Sequence, residues 1–235
     1  VIGGTASMIL LNEVGLDFRA TKDVDVVLFV EALSAKFANT FWDFIEEGGY
    51  NNRQVSSGKP IFYRFWKPRN QVYPEMIELF SRNPDGISLR PGSHLTPIPI
   101  AEEVTSLSAI LMNESYYNLA ITGRRLVEGL PVLSAAYLIT FKARAWLDLR
   151  KRRENGQQID EKDIRKHRND VFRLYQIIST EQRIYLPPEV AGDMRAFLLA
   201  VEDSKLNLSQ IGIQGFTLTD AVDGLKQVYG LTDSG

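Results

Sequence analysis

The sequence predicts an α+β chain in two parts: a small α/β domain with a mixed sheet over residues 1–130, then a helical domain over 131–235. Three observations carry that division. Short β-branched and aromatic runs, Asp25–Val30, Pro60–Trp66 and Val72–Phe80, alternate in the first half with a stretch of helical spacing. From Pro131 onward the segments lengthen and take the period of helices. Between the two stands Gly129-Leu130-Pro131, a break in both patterns.

Length and composition bound the rest. A chain of 235 residues holds one large domain or two small ones with an ample core. Hydrophobic residues make up 44% and charged residues 24%, an ordinary globular balance, and a net charge of −2 excludes a polycation. The absence of cysteine removes disulfides and thiolate metal sites, and two histidines are too few for a His-rich zinc centre. No run of 18 apolar residues offers a membrane span and no signal peptide is visible, which points to the cytoplasm. The chain opens on Val1, directly in a strand-like lead, so residues are expected to precede it.

The first element is a helix over Ala6–Val14, entered through Gly3-Gly4-Thr5. A glycine-rich entry lets backbone N–H groups approach an anion such as a phosphate, although the same pair also serves as a plain turn. The first strand follows, led by Asp23-Val24-Asp25. Alternate strand residues share a face, so Asp23 and Asp25 point one way and Val24 and Val26 the other. Two neighbouring carboxylates on a half-buried strand resist ionising together. Magnesium, with its preference for hard oxygen ligands, resolves that conflict, whereas a solvated strand edge avoids it. A glycine loop beside a carboxylate pair equips a chain for metal-assisted phosphoryl or nucleotidyl transfer.

Ala32–Glu47 carries Leu33, Phe37, Phe41, Phe44 and Ile45 near helical spacing and ends at Gly48-Gly49, a core helix with a glycine stop. Asn51–Lys59 is polar and loop-like, Pro60–Trp66 is a strand, Lys67–Asn70 a turn and Val72–Phe80 the returning strand. Glu78 stands between apolar neighbours on that strand and shares a face with Met76 and Phe80, while Glu75 falls on the opposite face. An unpaired carboxylate there is costly, so Glu78 needs a partner, either Arg64 across the hairpin or a metal ion.

Asn83-Pro84-Asp85-Gly86 reads as a turn, Leu89–Ile100 as a Pro- and Gly-rich loop holding His94, Ala101–Leu111 as a short helix, and Tyr116–Val127 as one or two strands. Four helices follow: Val132–Arg153, Glu161–Ile178 capped by Asp160, one from Pro187-Pro188 to about Val201, and Leu218–Tyr229. In the first of them Leu138, Lys142, Ala145 and Leu149 share a face, so Lys142 interrupts an apolar stripe, where lysines commonly snorkel to water. Residues 140–175 hold eleven Lys or Arg against six Asp or Glu, a local +5. A solvated helical face accounts for it, as does a patch facing RNA or phosphate.

Gly3-Gly4-Thr5 followed by Arg19-x-Thr21-x-Asp23-x-Asp25 and an apolar tail resembles the signature of the nucleotidyltransferase superfamily. Its Arg-x-Thr-x-Asp-x-Asp form is similar to that of AbiEii-type toxins of bacterial toxin–antitoxin systems. The resemblance covers roughly the first 80 residues well and the remainder loosely. It implies a nucleotidyltransferase-like sheet domain and two magnesium ions held by Asp23, Asp25 and a third carboxylate on a later strand. Glu78 occupies that position, where relatives more often carry Asp. Gly3, Gly4 and Thr5 would cradle the phosphates, and Arg19 and Thr21 would brace loop and strand, with Arg19 in reach of a phosphate. The family's helical Lys and later Asp match Lys142, aimed at triphosphate oxygens, and Asp170, which would orient that lysine or act on the acceptor hydroxyl. The implied activity is magnesium-dependent transfer of a nucleoside monophosphate from an NTP to a hydroxyl of tRNA, another RNA or a protein. A toxin of this type would have a cognate antitoxin as partner. The alternative is a nucleotide-binding or regulatory module of the same fold without turnover.

Overall fold

A computed structural model of the chain describes residues 1–52, 63–84, 95–98, 107–204 and 206–231. Its centre is a five-stranded mixed sheet of β1 (Asp23–Val27), β2 (Arg64–Trp66), β3 (Met76–Ser81), β4 (Leu95–Ile98) and β5 (Leu107–Leu111). The strands run β1-β3-β5-β4, with β1 and β5 parallel to β3, β4 antiparallel to β5, and β2 antiparallel to β3. The parallel β1–β3 ladder sets Asp25 opposite Glu78, and the β2–β3 ladder sets Arg64 opposite the same Glu78.

Alternation separates two faces of this sheet. Val24 and Val26 of β1, Phe65 of β2 and Ile77 and Leu79 of β3 belong to one apolar cluster. They are joined there by Phe37, Phe41, Trp42, Phe44 and Ile45 of the helix α2 (Ala35–Gly48). Each fully buried large side chain of this kind contributes about 1.5–3 kcal/mol through removal from water. The N-cap Ser34 accepts from the Phe37 amide, and Gly49 stops the helix in the left-handed region at φ 63°, where a glycine carries no Cβ penalty. The aromatic stripe is therefore core, as its spacing predicts.

The chain divides into two compact units, Val1–Met8 with Arg19–Val132, and Ile9–Phe18 with Leu133–Gly235. The helix α1 (Gly3–Glu13) thus gives its first half to one unit and its second half to the other. The second unit is helical: α4 (Ala135–Glu154) packs on α5 (Glu161–Tyr175) and α6 (Pro188–Glu202), and α7 (Leu218–Val228) packs on α5 and α6. Its core includes Leu138, Ile139, Phe172, Phe197 and Leu225, and the Tyr229 hydroxyl donates to the Ala136 carbonyl.

Several expectations need correction. Tyr116–Val127, expected as one or two strands, is strand only at its end. Its first part is α3 (Glu114–Thr122), started by an Asn113 side chain that accepts from the Ser115 amide, with Tyr116, Tyr117, Leu119 and Ala120 buried at helical spacing. Only Arg124–Val127 is strand, β6, paired with β7 (Leu130–Leu133) through Glu128 and Gly129, both at positive φ. Pro131 thus lies within a hairpin, and α4 starts at Ala135 rather than Val132. Of the expected helix Ala101–Leu111 only Leu107–Leu111 lies within the described residues, and it is strand β5, paired with Leu95–Ile98, Phe80 and Ser81. The expected loop Leu89–Ile100 contains β4, whose Pro97 is tolerated because β4 is an edge strand. His94, Asp85-Gly86 and most of Asn51–Lys59 lie outside the described residues, as do Pro60–Phe62.

Candidate functional site

The face of β1 opposite the apolar cluster carries Asp23, exposed, and Asp25, half-buried. The start of α1 lies directly against it. Gly3 takes φ +70°, and a Cβ added there would overlap Oδ2 of Asp25 and stand 2.8 Å from its Cγ. Only glycine accepts both that backbone conformation and that approach. A Cβ on Gly4 would sit 3.0 Å from Oγ1 of Thr21 and 3.6 Å from the Arg19 guanidinium. The Ile2 amide donates to the Asp25 carbonyl at 2.9 Å, and the Thr5 hydroxyl donates to the Asp23 carbonyl. Gly3, Gly4, Thr5, Arg19, Thr21, Asp23 and Asp25 are therefore brought together, with Arg19 and Thr21 beside the glycine turn.

Glu78 stands next to Asp25 in register, on the same face of the sheet. Its carboxylate is held by Arg64, whose Nε donates to Oε1 at 2.5 Å. Arg64 is the protein partner that the sequence offers Glu78. Among the described residues no three His, Cys, Asp or Glu side chains are grouped to hold a metal. The carboxylates this face offers are Asp23 and Asp25, with Glu78 engaged by Arg64. That suits magnesium bound through one or two carboxylates with substrate phosphates completing the shell, and it falls short of an all-protein cage.

A cleft of about 690 Å³ adjoins this arrangement, lined by Thr5, Thr21, Lys22, Lys67, Val72 and Tyr73 among others, but by none of the three acids. Its outer wall is the loop between β2 and β3, closed by the Lys67 amide on the Glu75 carbonyl at 2.9 Å and the Tyr50 hydroxyl on the Pro74 carbonyl at 2.6 Å. The expected strand Val72–Phe80 therefore begins only at Met76.

In the helical unit Lys142 and Asp170 meet. The Lys142 ammonium donates to Oδ2 of Asp170 at 2.9 Å, and Arg173 lies 3.5 Å from Oδ1. Lys142 does not snorkel; it is 3% exposed and Asp170 0%, so each charge is kept in the interior by the other. A chain separation of 28 residues hides such a pair from spacing arguments.

A further polar cluster escaped the sequence. Glu31 accepts from Arg82 at 2.7 Å and from the Tyr117 hydroxyl at 2.7 Å, and the Tyr117 oxygen accepts from the Val30 amide at 3.1 Å. It ties the exits of β1 and β3 to α3. Burial, then the hydrogen bond to Glu31, pushes the Tyr117 hydroxyl up to about 12. No protein-family model matches the chain, and neither curated proteins nor solved structures match it.

Proposed function

We propose that this chain is a magnesium-dependent nucleotidyltransferase that moves a nucleoside monophosphate from an NTP to an acceptor hydroxyl. The observation that carries the reading is the contact of the Gly3-Gly4 turn with the Asp25 carboxylate, which sets an anion-accepting helix entry beside two carboxylates. Asp23 and Asp25 would hold magnesium together with triphosphate oxygens. When bound, the metal supplies charge neutralisation on the phosphates and a lowered pKa for the attacking hydroxyl. Amides of the glycine turn would receive a phosphate oxygen, and Thr5 and Thr21 keep turn and strand in register. Glu78 would join the donor set by exchanging Arg64. The family resemblance alone gives Lys142 and Asp170 a part in triphosphate binding; in this structure the two are buried against each other. The acceptor hydroxyl would lose its proton to water, its oxygen would bond to the α-phosphorus, and the bond from that phosphorus to the departing pyrophosphate would break. By the same resemblance the protein would be the toxin of a toxin–antitoxin pair working in the cytoplasm, with tRNA, other RNA or protein as acceptor.

The test is incubation with each α-labelled NTP, magnesium and total cellular RNA, followed by a search for label on RNA or protein. Asp25→Asn removes one charge at almost constant volume and is expected to abolish labelling with an unchanged circular dichroism spectrum. Undiminished labelling by that variant ends the proposal. The Arg64–Glu78 ion pair favours a second reading, a nucleotide-binding module without turnover. It predicts magnesium-dependent NTP binding with no label transfer.

A further inference from the structure

We propose that α5 presents a docking ridge for the phosphate backbone of a nucleic acid, built from Lys162, Arg165 and Arg168 at successive steps of three, with Lys166 at its flank. The local +5 of residues 140–175 resolves into two different populations. At the end of α4 the arginines are engaged: Arg150 with Glu154 at 3.5 Å, Arg152 with Asp148 at 3.6 Å and with Gln157, and Arg153 with Glu161. That part is a self-neutralised surface. On α5 the four cations have no carboxylate partner within salt-bridge distance among the described residues. Asp160 is occupied by its cap on the Lys162 amide and Glu161 by Arg153, leaving Asp163 as the one other acid of the first turn.

Like charges adjoin along this helix, beside the opposite-sign neighbours Glu161–Arg165 and Asp163–Lys166 at four and three residues. Lys162 and Arg165, Lys162 and Lys166, and Arg165 and Arg168 repeat like charge at three and four residues, each pair unfavourable by about 0.2–0.5 kcal/mol. Lys162 also stands at the positive end of the helix dipole. Arg168 is half-buried, and its guanidinium meets a neutral acceptor, Oδ1 of Asn169, at 3.2 and 3.3 Å. Burial, and after it the neighbouring Arg165, pulls Arg168 below the ordinary guanidinium range. A half-desolvated cation beside a second cation is relieved by an anion that reaches both. From Lys162 to Arg168 the ridge rises about 9 Å. A span of that length reaches beyond one phosphate of a strand, so a polymer backbone fits the charge better than a single anion.

As a binding surface the ridge is independent of the transfer chemistry. As the place where an RNA acceptor is held it rests on the nucleotidyltransferase reading. The experiment is fluorescence anisotropy with a labelled single-stranded RNA of about 20 nucleotides across a salt series. Arg165→Ala/Arg168→Ala is expected to weaken binding about tenfold and to lower the slope of log affinity against log salt by about 1–2. Its melting temperature should hold or rise, because repulsion is removed. Arg150→Ala/Arg152→Ala, on the neutralised surface, should bind as the wild type does. Absence of RNA binding by the wild type, equal binding by the Arg165/Arg168 variant, or full displacement of RNA by an equal phosphate concentration of inorganic tripolyphosphate overturns the proposal. RNA binding that depends on the ridge, with no label transferred from any NTP, keeps the ridge and removes the transferase. Transfer to a protein without RNA binding does the reverse.

Discussion

At Gly3 a single missing Cβ decides whether a carboxylate can lie against a helix entry. The backbone there is left-handed, and the space a methyl group would fill is taken by Asp25. Gly15 has a similar φ, +74°, but nothing within 4 Å of an added Cβ. The two positions separate conformational strain from crowding. Gly15→Ala should cost about 1 kcal/mol, the left-handed penalty alone, whereas Gly3→Ala should cost about 2–4 kcal/mol because Asp25 must also move. Urea denaturation of both variants checks this. Equal losses would mean that the Gly3–Asp25 contact carries no constraint.

Between elements, the Lys142–Asp170 pair joins α4 to α5 inside an apolar interior. Breaking such a pair on one side leaves a buried charge uncompensated, so Lys142→Met is expected to destabilise by about 3 kcal/mol, toward the low end because Arg173 remains near Asp170. Lys142→Met/Asp170→Leu should recover most of that loss, since well-packed apolar groups often replace a buried ion pair without penalty. Chemical denaturation of the single and double variants reads the difference. If the double variant is stable but inactive in the labelling assay, the pair is retained for chemistry. If it is stable and fully active, Lys142 and Asp170 leave the proposed mechanism.

For the molecule as a whole, buried tyrosines set an alkaline limit. Tyr117 and Tyr50 are both pushed up to about 12, in each case by burial first, then by Glu31 for the one and Tyr73 for the other. A folded-state value above the ordinary 10 means that the native state keeps its proton while the unfolded chain loses it. The associated stability is fully present below pH 10 and is lost as pH rises from 10 through 12, by about 2 kcal/mol in total once exposure is allowed for. Melting temperatures at pH 9 and pH 11.5 should therefore differ. The difference should shrink in Tyr117→Phe, and an unchanged difference would exclude Tyr117 as a source.

The sequence by itself determined what depends on near neighbours. The alternation of Asp23-Val24-Asp25-Val26, the glycine stop of α2, the Asp160 cap of α5 and the glycine entry to α1 all follow from contacts within a few residues. The start of α2 at Ala35 after the Ser34 cap, three residues beyond the expected Ala32, does not show in its apolar spacing. Only tertiary structure decided matters of partnership. Helical spacing in Tyr116–Ala120 passes for loose alternation until Asn113 caps it. Glu78 belongs to Arg64 because a nearby hairpin register opposes them, and it lies beside Asp25 because a distant parallel strand does so as well. Lys142 is held inside because Asp170 arrives from another helix, and the cations of α5 differ from those of α4 because only the latter meet carboxylates. The physical reason is common to all of these. Local periodicity fixes the face on which a side chain stands, whereas the free energy of a buried or clustered charge depends on what the rest of the chain brings to that face.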